Sequence, residues 1–378
     1  MTQNILITGG AGFIGSRLAN HLVANGQHVK VLDNLSPQIH GATPELSPLL
    51  LSLDKKVEFI HGDVTNVDDL SISLKEVDTV VHLAAETGTG QSMYNINHYS
   101  NVNIGGTSLL LDLIANKSIP VKKIVVASSR AIYGEGKYRC SEHGDLYPRS
   151  RLPEDMEKGD FDIHCPQCGR VAELLATDEG SPASPNSVYG ITKLTQEQLV
   201  LNVGKALGIS AIALRYQNVY GPGQSLSNPY TGILSIFSTR ILNQNSINIF
   251  EDGRESRDFV YVDDIVSITA KAVLHQTTIV DAFNVGSGHA TDVFYIANAL
   301  RKYLAIDVPI EVTGHFRIGD IRHNYADISK AKKYFQYEPK TSLNEGLISF
   351  VDWVRSENVQ VDRYDESLAE LKSKGLFR

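Results

Sequence analysis

Three cysteines, three methionines and one tryptophan are all that this 378-residue chain holds of those types. So few thiols exclude a disulfide-stapled scaffold, which relies on paired cysteines in place of a large core. No apolar run reaches the roughly twenty residues that cross a bilayer, which excludes a helical membrane protein. Basic residues are also scarce: 35 Lys+Arg against 43 Asp+Glu leave a formal charge of −8. An acidic chain lacks the electrostatic footprint of a nucleic-acid binder. The start, Met1-Thr2-Gln3-Asn4, carries no basic residue and runs straight into a strand-like segment, unlike a signal peptide. A cytoplasmic protein is the expectation. What the chain does have is length, with 42% hydrophobic and 21% charged residues, enough to bury the core of one large domain or two modest ones.

Short β-branched runs alternate with helical stretches through the first half. Asn4–Thr8, His28–Asp33, Val57–His61, Thr79–Leu83, Lys123–Ser128 and Ser210–Arg215 read as strands. Helices are predicted over Phe13–Asn25, Met93–Asn116 and Val188–Leu207. Apolar runs bounded by Gly, Asp and Ser fit parallel strands covered on both faces, so the fold class is α/β with a Rossmann-type, doubly wound parallel sheet. After Tyr216 the alternation lapses and turn residues thicken, at Gly221-Pro222-Gly223 and Asn228-Pro229. The predicted organisation is a Rossmann-type domain over residues 1–216 and a smaller mixed α/β lobe over 217–378, with some segments returning to the first domain. A polar stretch, about residues 134–185, holds all three cysteines and reads as an insertion.

Gly9-Gly10-Ala11-Gly12-Phe13-Ile14-Gly15 follows the first strand and opens the first helix. In that context glycines at 9, 12 and 15 serve the tight turn, the approach to a pyrophosphate and close helix–strand packing. The helix N-terminus then offers unpaired N–H groups to phosphates. Asp33 ends the second strand, eighteen residues past Gly15. A carboxylate there accepts hydrogen bonds from an adenosine ribose and repels a 2′-phosphate, favouring NAD over NADP. Asp63 has two readings, a contact to the adenine edge or the cap of the helix that follows.

Tyr189-Gly190-Ile191-Thr192-Lys193 puts a phenol and an ammonium four residues apart on one helix face. A nearby cation favours the phenolate and makes tyrosine a base for a sugar hydroxyl. Ser128-Ser129 stand where the fifth strand ends, the position at which open α/β sheets bind ligands.

Together with Asp63-Val64, His82-Leu83-Ala84-Ala85 and Tyr133-Gly134, these motifs resemble the extended short-chain dehydrogenase/reductases, and within them the nucleotide-sugar epimerase/dehydratase group. The resemblance covers nearly the whole chain. It implies NAD, tightly bound, with contacts at Gly9, Gly12, Phe13, Ile14, Gly15, Asp33, Asn34, Asp63, Val64, Leu83, Ala84, Ala85, Asn103, Tyr189 and Lys193. Tyr189 becomes the base, Lys193 its partner and Ser129 the hydroxyl at the sugar oxygen. Ser129, Arg130, Asn218, Arg257 (in Ser256-Arg257-Asp258-Phe259) and Arg317 (in Arg317-Ile318-Gly319-Asp320) become the substrate contacts, the arginines holding a diphosphate. The family's 4,6-dehydratases carry Asp-Glu directly after the Ser129 position and its decarboxylases a Glu two residues after it. Here those positions are Arg130 and Ala131, which leaves oxidation and re-reduction at C4. The resemblance also implies a homodimer built on the helices near 93–116 and 188–207, with Leu109, Leu110, Leu113 and Leu199 as apolar contacts; ordinary core packing is the other reading.

Sixty residues separate Ser129 from Tyr189, more than in typical family epimerases. The surplus carries Cys140-x-x-His143 and Cys165-Pro-Gln-Cys168-Gly. Three thiolates and an imidazole complete a tetrahedral structural zinc site, with His164 an alternative to His143 as fourth ligand. The bland reading is three unpaired cytosolic thiols. The insertion, with Tyr-Gln-Asn-Val-Tyr-Gly-Pro-Gly-Gln after the sixth strand, is similar to the dTDP-L-rhamnose 4-epimerase branch of the family, which interconverts the rhamnose and 6-deoxytalose nucleotides. A UDP-glucose/UDP-galactose 4-epimerase and an NAD(P)H-dependent 4-ketohexose reductase are the alternatives. A silent NAD-binding protein is opposed by the intact Ser129, Tyr189 and Lys193.

Overall fold

The computed structural model describes residues 2–116 and 119–378; of the segments read above, only Met1 lies outside them. Seven parallel strands form the central sheet: β1 Asn4–Thr8, β2 His28–Asp33, β3 Glu58–His61, β4 Thr79–His82, β5 Lys123–Ser129, β6 Ser210–Tyr216 and β7 Val280–Val285. Their order is 3-2-1-4-5-6-7, so the chain reverses its direction of travel between β1 and β4. Ligands of open α/β sheets bind in the crevice at that switch point. The seventh strand escaped the sequence reading. It comes from beyond Tyr216 and pairs in register with β6, Val280 opposite Ala211 through Val285 opposite Tyr216.

Alternation along the strands divides the core in two. Ile5, Ile7, Val81, Val125, Ile212 and Leu214 face one side, where helices α1 Phe13–Ala24 and α4 Val262–Leu274 pack. Leu6, Val80, Ile124, Val126, Ala211 and Ala213 face the other, against α2 Gly106–Asn116 and α3 Val188–Leu207. Successive side chains of a strand point to opposite faces, so a strand buried on both has no polar position to offer. Leu110 and Leu113 are buried in this second core, 0% and 3% exposed. They serve the fold of a single chain, and of the four leucines read as dimer contacts only Leu109 and Leu199 stay partly exposed.

The helix expected over 93–116 runs without a gap from Ile96 to Asn116, its middle, Ser100–Gly105, wound as a π-helix ahead of α2, and Thr89–Ser92 is a separate turn before it. Wide turns of this kind re-aim one side chain, and here it is Asn103, fully buried.

The insertion forms a three-stranded antiparallel sheet, Gly144–Leu146, Tyr138–Cys140 and Glu173–Leu174. Its apolar centre is small, Tyr138, Ile163 and Ala172 with Leu146 and Leu174 around them. No helix among the described residues is long and apolar enough to cross a membrane.

Candidate active site

The cleft at the switch point has a volume of about 470 Å³. Its first wall is made of backbone. Gly9 turns the chain out of β1 at φ +67°, a region that costs L-residues strain, and a Cβ there would lie 2.8 Å from the Ala84 nitrogen. A Cβ on Gly15 would lie 2.4 Å from the Gly9 carbonyl oxygen. Gly12 caps α1 with no side-chain hydrogen bond, and no acidic residue occupies the first turn. The first N–H groups of α1 are therefore left for an anion. Asp33 is fixed beside them: Oδ2 accepts from Ala11 N at 3.0 Å and Oδ1 from Leu35 N at 2.9 Å. His40 Nε2 stands 3.7 Å from Asp33 Oδ1, and burial holds the imidazole below its ordinary pKa against the pull of that carboxylate. Phe13, Ile14, Asn34, Val64, Leu83, Ala84 and Ala85 complete this wall. A glycine cradle closed to any Cβ, an uncapped helix and a pre-held carboxylate fit a dinucleotide.

Ser129, Arg130, Tyr189, Lys193 and Asn218 line the opposite wall. The Ser187 hydroxyl starts α3 by accepting from Gly190 N at 3.1 Å. A Cβ on Gly190 would lie 2.6 Å from the Ala131 oxygen, so glycine lets the helix close on the turn after β5. That approach sets the Tyr189 phenol beside Ser129 in the cleft. A buried triad pins the rest of α3: Ser128 Oγ donates to Glu197 at 2.6 Å, and Arg215 Nη2 donates to the other oxygen at 2.6 Å.

Burial raises the Tyr189 pKa above its usual 10, while the Ser129 hydrogen bond and the Arg130 charge pull it down. Arg130 is thus a cation that bears on the phenol, beside the expected Lys193 in the same cleft. The Lys193 ammonium turns inward to Gln196 Oε1 at 2.8 Å, and burial brings its pKa down to about 7. Gln196 Nε2 lies 3.3 Å from His82, which bridges Thr8 and Thr107 in the sheet interior. Arg130 forms no ion pair or hydrogen bond among the described residues; burial and Arg257 lower its pKa to about 10.

Four expected contacts lie off the cleft wall. Asp63 Oδ2 accepts from Asn34, which lines the cleft, and Oδ1 from Thr65; the helix that follows is capped by Asn66, so the capping reading of Asp63 does not hold. Asn103 is consumed internally, exchanging two hydrogen bonds with the Glu86 backbone and donating to Thr192 Oγ1. Arg257 and Arg317 do converge, but on a carboxylate: both donate to Asp320, at 3.2 and 2.9 Å. With Arg130 nearby, these guanidinium groups hold the Asp320 carboxyl far below the usual carboxylate range, outweighing its burial. Asp258 ties loops together by accepting from Ser287, Gly288 and Ala326.

Other groups in the cleft carried no sequence assignment. Glu86, Gln217, Gln224 and Tyr230 line it. Both polar atoms of the Gln217 amide, Asn218 Oδ1 and Gln224 Oε1 are buried without a partner. Buried polar atoms are almost always paired, so these mark a place for a polar ligand. The turn residues around Gly221-Pro222-Gly223 were the available signal.

In the insertion the two candidate histidines are placed differently. The ligand atoms of Cys140, His143, Cys165 and Cys168 all lie within 4.8 Å of one another. His164 faces away, bonded to Asp160 Oδ1 at 2.9 Å and to the Gly169 oxygen.

The profile of the NAD dependent epimerase/dehydratase family matches residues 5–151 and 165–286. A dTDP-L-rhamnose 4-epimerase of Burkholderia thailandensis is 36% identical over 357 residues, 94% of this chain and 96% of that one. A putative UDP-glucose 4-epimerase of Methanocaldococcus jannaschii is 31% identical, covering 94% and 99% of the two chains. Among solved structures, UDP-glucuronic acid 4-epimerase of Bacillus cereus in complex with UDP-glucuronic acid and NAD superposes with a TM-score of 0.75 at 28% identity, over 93% of this chain and 99% of that one.

Proposed function

The chain belongs to the NAD dependent epimerase/dehydratase family, and from that premise we propose that it is a nucleotide-sugar C4 epimerase acting on dTDP-L-rhamnose and dTDP-6-deoxy-L-talose, a cytoplasmic homodimer with a zinc-held insertion. The observation that carries the chemistry is the placement of Ser129 and Tyr189 together in the cleft, at the seam between a glycine cradle and a wall of unpaired amides. The 36% identical relative supports the substrate.

The Gly9–Gly15 loop and Asp33 would hold NAD, which would supply reversible hydride chemistry at the sugar carbon. The chain's own residues move the proton. Tyr189 takes the proton of the sugar 4-hydroxyl and later returns it. Ser129 hydrogen-bonds the same oxygen as it becomes a ketone. Tyr189 acts as the phenolate, and Arg130 steadies that charge before the proton arrives and after it is returned. Gln217 and Asn218 supply the amides that the substrate side of the cleft leaves unpaired, and Arg130 has a free guanidinium for an anionic group. Dimerisation uses the outer faces of α2 and α3, where Ile191 is 50% exposed.

That free Arg130 also favours a second reading, a uronate sugar whose carboxylate pairs with it. Proton NMR of purified protein with dTDP-L-rhamnose, UDP-galactose or UDP-glucuronate, and no added cofactor, separates the readings. New sugar signals with altered H4 coupling from the first alone support the proposal. Turnover of another donor moves the substrate, and a requirement for added NADH replaces epimerase by reductase. Light scattering at a monomer mass would remove the dimer.

A further inference from the structure

We propose that Cys140, His143, Cys165 and Cys168 bind one structural zinc ion, and that this ion makes the insertion a clamp on the segment 316–327, which carries Arg317 and Asp320 of the substrate side. Zinc–sulfur bonds of about 2.3 Å and zinc–nitrogen bonds of about 2.0 Å in a tetrahedron require S···S edges near 3.8 Å and S···N edges near 3.5 Å. Here Cys140 and Cys168 sulfurs are 3.6 Å apart, and His143 Nδ1 stands 3.6 Å from Cys140 and 3.5 Å from Cys165. These separations are far beyond the roughly 2.05 Å of a disulfide. The backbone curls to suit an ion. The Cys165 sulfur accepts from the N–H groups of Gln167 and Cys168, and the Cys140 sulfur from those of Glu142 and His143. Gly169 follows at φ +72° and donates to the Cys165 carbonyl at 2.9 Å. Four protein ligands leave no open position, and none of them lines the cleft, so the ion's work is structural.

What it holds reaches the substrate side. The insertion's own core is five side chains, too little to order about fifty residues without a staple. Its inner flank is nevertheless locked to the C-terminal lobe. Glu135, 0% exposed, accepts from Arg151 at 3.1 Å and from Arg322 N at 2.7 Å. Arg151 makes a bidentate pair with Glu251, both bonds 2.8 Å, and donates to the Asp320 carbonyl. Thr177 N donates to the Tyr325 oxygen, and Asp327 N to the Thr177 oxygen, at 2.9 Å each. A clamp of this kind keeps Asp320 and its arginines in one arrangement beside Arg130.

The full-length protein, purified without chelator, is analysed for metal, and hydrogen exchange is followed before chelation, after it and after zinc is restored. One zinc per chain is expected, absent from the Cys165→Ser/Cys168→Ser variant. In the stripped wild type the amides of Arg322 and Asp327 exchange faster, and added zinc reverses this. The chelated wild type keeps the test open if the variant fails to fold. Protein that carries no zinc overturns the site. Zinc whose removal quickens exchange only within 138–174 overturns the clamp. Neither readout needs turnover, so both stand if the epimerase reading fails; where that reading holds, KM of the stripped enzyme rises roughly tenfold with kcat little changed, and a change in kcat alone counts against the clamp.

Discussion

The two walls of the cleft are built by different means. The dinucleotide wall is backbone: a glycine turn, a bare helix N-terminus and one carboxylate held by Ala11 and Leu35 N–H groups. The opposite wall, with Ser129, Arg130, Tyr189 and Asn218, is side chain, and it is backed outside the cleft by a lattice in which Glu135, Arg151, Glu251 and Arg322 interlock across residues far apart in sequence, with the insertion between. A backbone cradle is fixed by residues within one strand–turn–helix unit and tolerates little beyond glycine. A side-chain lattice can be rebuilt for another sugar while the cradle stays unchanged. That difference fits a family in which one cofactor serves many substrates.

The largest effect belongs to the seam between the walls. Tyr189→Phe should lower kcat by about 10³-fold, the worth of a positioned proton acceptor, while bound NAD and unfolding stability stay at wild-type values. Initial rates by NMR and the NAD content of the purified variant check it. A rate within tenfold of wild type would mean that another group carries the proton.

Next comes the lattice. Arg151 is 5% exposed at its side chain and bonds Glu135 and Glu251, both buried. Arg151→Ala leaves two carboxylates without their shared partner and should cost about 3–5 kcal/mol in urea unfolding. On the other wall, Gly15→Ala forces a Cβ to within 2.4 Å of the Gly9 oxygen. It should cost about 1–3 kcal/mol and release NAD, with exchange of the 316–327 amides unaltered. If Arg151→Ala proves harmless, or Gly15→Ala loosens the rim, the division between the walls fails.

The same division decided what could be read in the sequence. Gly9, Gly12, Gly15 and Asp33 lie within one βαβ unit, where spacing and structure are nearly one statement. Tyr189 and Ser129 were legible because each ends or starts a periodic element. The π-helical stretch within the 96–116 helix was not, because the widening at Ser100–Gly105 goes with burying Asn103 against Glu86 and Thr192, a tertiary demand. Strand β7 was missed because its run Val280–Val285 carries Asp281 and Asn284, and polar residues hide a strand from pattern. The Arg257–Asp320–Arg317 cluster depends on pairs sixty-three and three residues apart. Sequence spacing offered the arginines but not the carboxylate between them.

The smallest predicted effect concerns how each wall keeps a histidine neutral. His82, behind the dinucleotide wall, is brought to a pKa of about 3 by burial first and by Lys193 second. His323, in the rim lattice, reaches about 3 by burial with Arg322, Arg257 and Arg151 adding to it. In the unfolded chain both take up a proton near pH 6.5. Between those values the unfolded state binds more protons than the folded one, so stability falls as pH drops through the window. Each histidine contributes a slope of about 1.4 kcal/mol per pH unit at most. His82→Gln and His323→Gln should each flatten the slope by up to one proton, and the pair by up to two. Added salt should weaken the His323 share more, because three of its causes are charges while His82 rests chiefly on desolvation. Urea midpoints at two pH values inside the window, at low and high salt, measure both shares. Equal salt sensitivity at the two sites would mean that the rim's electrostatics are no more exposed to solvent ions than the sheet interior.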